Sequence, residues 1–327
     1  MTSRQRFRET MHYGAPDRIP YFEEGIRKDV IRVWHQQGLS PKTNIYELFP
    51  TDHFNEVLLD VDPHPEFKVW PQSLPALDLL DNRLDPDDPS RFPKGRMQKL
   101  RFLEKNDRVQ FIRVHRGFFL TVGASDWPRF TDVLSLIIEN PEYIRKMMMI
   151  QGEFAARLTE NVLEKTEVDA AIFSEPIGGN EGPLISPVMY EEFVLKSYQP
   201  LLNVLKKNGI NTIIMRTYAN TRILIPSLLK YGFNCLWACE TNIEQMDYRD
   251  LRRKFGRDLR LIGGIDLDAL RHDKESIRRE VEEKVPHLVA DGGYIPLVDG
   301  RIRQDVLFDN YVYYRRLLEE HLQLSRA

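Results

Sequence analysis

From residue 168 onward the chain alternates short β-branched apolar runs with longer amphipathic stretches, and this alternation constrains the fold more than any other feature of its 327 residues. Strand-like runs at 168–174, 212–217, 233–239, 259–262 and 293–298 are each followed by helical patterns: 187–207, 222–230, 248–255, then 267–271 with 274–289, and finally 308–322. A helix between consecutive strands returns the chain to the end from which it started, so the strands must run parallel, with helices covering the sheet. Boundary residues agree with this division. Ser186-Pro187 opens a helix with a hydroxyl acceptor and a ring that has no N–H to lose, and Gly232 and Gly256 stand just past two helix ends.

The first half is less regular. An amphipathic helix is expected over 3–13, then a first strand over 18–24 and a helix over 27–37. Between about 40 and 110 the prolines at 63, 65, 71, 75, 86, 89 and 93 break the pattern into an irregular elaboration, with short strands near 56–61 and 68–70. Order returns with a strand over 109–115 and a helix over 141–163. Three strands from this half bring the total to eight, which predicts a single-domain α/β chain of the (β/α)₈ TIM-barrel class over 1–327. An open doubly wound sheet is the alternative, but no Gly-x-Gly-x-x-Gly follows the first strand and no phosphate loop ends in Gly-Lys-Ser/Thr, so nucleotide binding has no support.

Charge narrows the partners. A net charge of −3 and a pI near 6.3 give no general attraction to nucleic acid or anionic membrane, which leaves small molecules or proteins. No stretch is apolar for long enough to span a bilayer, and a cytoplasmic protein is expected. Cys235 and Cys239 share one strand-like run, too few for a thiolate metal cage and too far apart along a strand for a disulfide, so both are expected to be buried reduced thiols.

In a barrel, chemistry gathers at the carboxyl ends of strands. Arg216 and Tyr218 lie two apart at the end of an apolar run that continues to Asn220, and residues i and i+2 of a strand share a face. The other strand ends supply Glu23 and Glu24, Phe118 and Phe119, Glu175, Trp237, Glu240, Asp266, and Asp299 with Arg301. The catalytic candidates are Glu175, Arg216, Tyr218, Glu240 and Asp299. Glu24, Phe118, Asn220, Trp237, Asp266 and Arg301 are the candidates for substrate binding. Each has a plain alternative: Glu240 can pair with Arg216, Trp237 can be core, and Asp266 can cap the helix after it. An arginine fork binds a carboxylate, a phenol donates to developing negative charge, and a buried acid can hold a proton near neutrality, so the chemistry these groups permit is acid–base or electrostatic. No Ser/His/Asp arrangement is legible, and of the eight histidines only His115 lies near a strand end.

The run from Leu184-Ile-Ser-Pro-Val-Met-Tyr to Gln199-Pro200, the strand at 211–217, and Leu261-Ile-Gly-Gly-Ile-Asp-Leu-Asp-Ala-Leu resemble the uroporphyrinogen decarboxylase superfamily, and the resemblance extends over nearly the whole chain. It implies a (β/α)₈ barrel and an enzyme, since the superfamily includes porphyrinogen decarboxylases and methyltransferases that exchange methyl groups with corrinoid proteins. Two departures matter. The decarboxylases carry Arg-Gln-Ala-Gly-Arg after the first strand, whereas this chain has Glu23-Glu24-Gly25-Ile26-Arg27, whose acids would repel a polyanionic porphyrinogen. The zinc methyltransferases carry His-x-Cys where this chain has Arg216-Thr217-Tyr218, with a second cysteine near Val298 or Asp299. Arginine cannot ligate zinc, so a thiolate-held zinc is not expected, although a hard cation among Glu175, Glu240 and Asp299 is conceivable.

The resemblance therefore leads to an expectation of methyl transfer between a small methylated substrate and a corrinoid carried by a partner protein. Glu175, Tyr218 or Glu240 would supply the proton, and Arg216 would hold an anionic group or the acids. Decarboxylation of a small carboxylic acid is the alternative, and a ligand-sensing barrel without catalysis a third. A homodimer is compatible with the sequence.

Overall fold

A computed structural model describes residues 1–92, 107–124, 126–239 and 246–322. Seven strands form one parallel sheet in chain order: β1 (Phe54–Leu58), β2 (Val109–His115), β3 (Ala170–Glu175), β4 (Ile213–Tyr218), β5 (Cys235–Cys239), β6 (Arg260–Ile265) and β7 (Tyr294–Val298). Helices separate most of them, as the sequence pattern requires, and the sheet curls into a TIM-barrel-like fold.

Strand periodicity sorts the side chains into two layers. One parity converges on the interior: Phe54, Val109, Phe111, Ala170, Ile172, Ile214, Cys235, Trp237, Ile262, Ile295 and Leu297. The other, including Ile112, Val114, Ala171, Phe173, Met215, Leu236 and Leu261, packs beneath the helices in the larger core. Each Val, Leu, Ile, Phe or Met among them fully removed from water contributes roughly 1.5–3 kcal/mol of transfer free energy. The N-terminal helix Ser3–Met11, held by a reciprocal capping box between Thr2 and Gln5, presents Phe7 and Met11 four residues apart on one face. Both are wholly buried in the interior cluster, with the Phe7 ring 5.3 Å from Phe111. Arg4 and Arg8 of this helix pair with Asp169, the residue before β3, so the helix lies against the amino-terminal ends of the strands.

The first half departs from expectation in three places. Residues 18–24, expected as a strand, make no ladder. Pro20 has no N–H, the Tyr21 N–H donates to the Asp52 carboxylate, and the Tyr21 carbonyl accepts from the Asp52 backbone. Phe22 still enters the interior, and Ile26 makes a single parallel bridge to Ile302. Residues 68–70 form no strand, while β1, expected within the elaboration, is a stave of the barrel itself. A helix at Trp127–Glu139, capped by Asp126 with Pro128 in its first turn, fills a stretch to which no element was assigned.

Downstream, the stretch opened by Ser186 is helical as expected, but its turn Tyr190–Leu195 is a π-helix between Pro187–Met189 and Gln199–Lys207. Gly264 in β6 has φ +87°, and a Cβ there would lie 2.5 Å from the Tyr248 ring. That close approach lets the Tyr248 hydroxyl accept from Ala238 N–H of β5 and donate to Ile262 O of β6. Cys235 and Cys239 are buried free thiols, and burial pushes Cys235 up to about 12. No helix among the described residues is long and apolar enough to cross a membrane.

Candidate active site

The interior side chains nearest the carboxyl ends of the strands border a cleft of about 610 Å³. Phe54, Glu56 and Leu58 of β1, Arg113 of β2, Arg216 and Tyr218 of β4, and Trp237 and Cys239 of β5 enter it by the same alternation that fills the barrel below. Glu24 and Arg27 come from the segment before β1, and Asp299, Gly300, Arg301 and Arg303 from the segment after β7.

Five arginines thus face three carboxylates, and the three acids are held in different ways. Glu56 accepts from Arg216 Nη1 at 2.9 Å through one oxygen and faces Arg113 Nε at 3.3 Å through the other. Arg216 is buried, with its guanidinium carbon 4.1 Å from the centre of the Trp237 ring, a cation–π contact that holds the charge against the ring. Its Nε is buried without a hydrogen-bond partner among the described residues. Asp299 is buried and accepts from the Leu267 N–H at 2.9 Å. Glu24 differs from both: its Oε2 is buried with no hydrogen-bond partner among the described residues. Burial raises its pKa, opposed by the charges of Arg216 and Arg301. Tyr218 is 40% exposed, and Arg27, Arg301 and Arg303 are exposed.

The structure thus gathers Glu24, Arg216, Tyr218, Trp237, Asp299 and Arg301 into one cleft. Four other candidates lie elsewhere. Glu175 has the parity opposite to Ile172 and sits outside the barrel wall, fully buried. It accepts from the Phe118 N–H and from the Tyr198 hydroxyl, both at 2.7 Å, and burial pushes it up to about 7. The Tyr198 oxygen is also 3.0 Å from Nδ1 of His115, which accepts from the Gly117 N–H, and burial pushes His115 down to about 3. Gly117, at φ +100°, admits this arrangement because a Cβ would lie 2.7 Å from Ser174 O and 3.0 Å from Glu175 Oε1. Phe118 packs on Phe119 in the same outer layer. Asn220 caps a turn, accepting from Arg222 N–H while its backbone bridges Gly179. Asp266 caps the helix Leu267–Arg271, the alternative allowed for it, beside a smaller pocket that shares Asp299 and Arg303 with the cleft. Glu240 lies outside the described residues. Glu23 points away from the cleft to Tyr311 and Arg315.

Glu56, Arg113, Arg27 and Arg303 line the cleft without having been singled out. Parity carried a signal for two of them: Glu56 is two residues from Phe54, and Arg113 two from Phe111. Among the described residues, no three His, Cys, Asp or Glu side chains are grouped as a metal site requires.

Compared with known proteins, the chain matches the family model described as "Uroporphyrinogen decarboxylase (URO-D)" over residues 122–297, more than half its length. It belongs to the uroporphyrinogen decarboxylase family. No curated protein matches it. Among solved structures, it is similar to a Listeria monocytogenes protein described as a candidate vitamin-B12-independent methionine synthase, at 12% identity over 92% of this chain and 96% of that one, with a TM-score of 0.44. Members of the uroporphyrinogen decarboxylase family are enzymes, decarboxylases and methyltransferases among them. In this member the matched region supplies Arg216, Tyr218, Trp237 and Cys239, whereas Glu24, Glu56 and Arg113 precede it.

Proposed function

We propose that this protein takes a methyl group from a small substrate bearing a carboxylate and passes it to a corrinoid carried by a partner protein. The observation that carries the reading is the set of five cleft arginines, of which Arg113 and Arg216 are fixed by Glu56. Guanidinium groups bind a carboxylate as it stands in the ground state, and binding ground state and transition state equally gives no acceleration. A carboxylate destined to leave as CO₂ would be stabilised in the form that must be lost. One that stays on the substrate serves as an anchor, with the reacting group elsewhere in the cleft. This favours methyl transfer over decarboxylation.

In this reading Arg216, stacked on Trp237, and the rim arginines orient the substrate, and Tyr218 at the mouth contacts the part nearest solvent. A reduced corrinoid on the partner would supply the electron pair that takes up the methyl carbon. Thiolate zinc has no part in this reading: the resemblance implies that Arg216 and Tyr218 replace the ligands of the zinc methyltransferases, and Arg216 brings a fixed positive charge. The test is incubation with cob(I)alamin and a panel of methoxy- and methylamino-carboxylic acids, following methylcobalamin by its visible absorbance, with CO₂ release measured on the same acids. Methylation from at least one donor is expected. Release of CO₂ with no methylation from any donor would establish the decarboxylase reading instead.

A further inference from the structure

Of the three cleft carboxylates, Glu56 and Glu24 are in opposite electrostatic situations. Glu56 faces two guanidinium groups, Arg113 through one oxygen and Arg216 through the other. Glu24 arrives on the extended segment after Phe22, and side chains there alternate: Phe22 into the barrel, Glu23 outward to Tyr311 and Arg315, Glu24 inward to the cleft. Among the described residues no ion pair reaches Glu24, and its Oε2 is buried without a partner. The charged groups that act on it are Arg216 of β4, Arg301 after β7, Glu56 of β1 and its neighbour Glu23. Burial raises its pKa in spite of the two arginines. A carboxylate oxygen buried without a donor is costly, and a proton on it removes that charge. A neutral carboxyl hydroxyl at Oε2 needs an acceptor, and a substrate anchored by the arginines can place one there.

We infer that Glu24 is the acid that protonates the oxygen from which the methyl group departs, so that the donor is a methyl ether carrying a carboxylate. The inference rests on the methyl-transfer reading above. The C–O bond breaks with its electrons left on oxygen as the methyl carbon passes to the electron pair that a reduced corrinoid would supply, and the Glu24 proton moves to that oxygen, leaving a hydroxyl product and a glutamate that solvent reprotonates. An ether is favoured over a methylammonium donor because five arginines repel a cationic substrate.

The test compares wild type, Glu24→Gln and Glu24→Asp with cob(I)alamin and methoxy-carboxylic acids whose leaving hydroxyls range from strongly to weakly basic. General acid catalysis contributes about 10²- to 10⁴-fold, so Glu24→Gln should lose that much kcat on the most basic leaving groups and little on acidic phenols, with KM nearly unchanged. Glu24→Asp, which keeps an acid, should recover part of the loss. An infrared difference spectrum of wild type against Glu24→Gln at pH 7, in the absence of substrate, should show a neutral carboxyl band. A wild type that transfers methyl groups while Glu24→Gln matches it on every leaving group overturns the inference, as does an ionised Glu24 at pH 7. A wild type that methylates no corrinoid from any donor instead sinks the methyl-transfer reading, so the two failures are distinct.

Discussion

Replacing Glu175 by glutamine should change how the stability of this protein depends on pH, by an amount that follows from its surroundings. Burial pushes Glu175 from its ordinary 4.5 up to about 7, even though the Phe118 N–H and the Tyr198 hydroxyl bond to it. Between these values the unfolded chain has released the Glu175 proton and the folded chain keeps it. The stability due to Glu175 is therefore full below pH 4.5 and falls as pH rises through about 7, by roughly 3 kcal/mol in all. Glutamine reproduces the neutral form. Its oxygen can accept from Phe118, and its amide can donate to the Tyr198 oxygen. His115, pushed down to about 3, contributes the opposite slope: its share is present above its ordinary 6.5 and falls as pH drops. In wild type the two slopes oppose each other between pH 4.5 and 6.5 and leave a plateau, whereas in Glu175→Gln only the histidine slope remains and stability rises across that range. Urea unfolding of both proteins from pH 4.5 to 8 measures the difference directly, because the histidine contribution cancels. The expected gain of the variant over wild type grows with pH by about 3 kcal/mol. A difference that stays constant with pH would refute the assignment of Glu175 as a carboxyl kept neutral by burial.

Glu56→Gln removes the carboxylate between Arg113 and Arg216 and should destabilise by about 3 kcal/mol in denaturant unfolding, since it leaves the buried Arg216 guanidinium without its counter-charge. Combined with Arg216→Leu the losses should be less than additive, and strict additivity would show that the pair does not act as one unit. In the methyl-transfer assay Arg216→Leu should raise KM for carboxylate-bearing donors about 10- to 100-fold, as expected for loss of a charge-assisted contact, and an unchanged KM would remove Arg216 from the anchor. Gly264→Ala should cost well over about 1 kcal/mol, whereas Gly232→Ala, also at positive φ but with open space around it, should cost only about that much. Equal losses in thermal unfolding would mean that the Tyr248 contact is not what requires Gly264.

Much of the barrel could be read from the chain because its signal is local. A strand alternates every two residues and a helix every 3.6, so the units from 168 onward appear in the sequence much as they fold, and the end of β4 presents Arg216 and Tyr218 to one face as their spacing implies. The start of the helix Trp127–Glu139 is also marked locally, by Asp126 and Pro128, although the apolar pattern by itself places no element there. The composition of residues 18–24 suits a strand, but the Asp52 side chain, more than thirty residues away, takes the Tyr21 N–H that a neighbouring strand would have used.

Selection of the site residues divides in the same way. The sequence alone determined that polar groups end the parallel strands and that Arg216, Tyr218, Trp237, Asp299 and Arg301 stand at or just past those ends, because chain order and strand parity are properties of the covalent backbone, whereas Glu24 reaches the cleft from a segment that forms no strand. Only the tertiary structure decided which groups face one another: that Glu175 turns outward to Tyr198 and His115, that Glu56 binds Arg113 and Arg216, and that Glu24 has a buried oxygen without a partner. Those relations join residues as much as 160 positions apart. They depend on how the sheet curls and on what each side chain meets when water is excluded, which is a property of the closed fold and not of any stretch of its sequence.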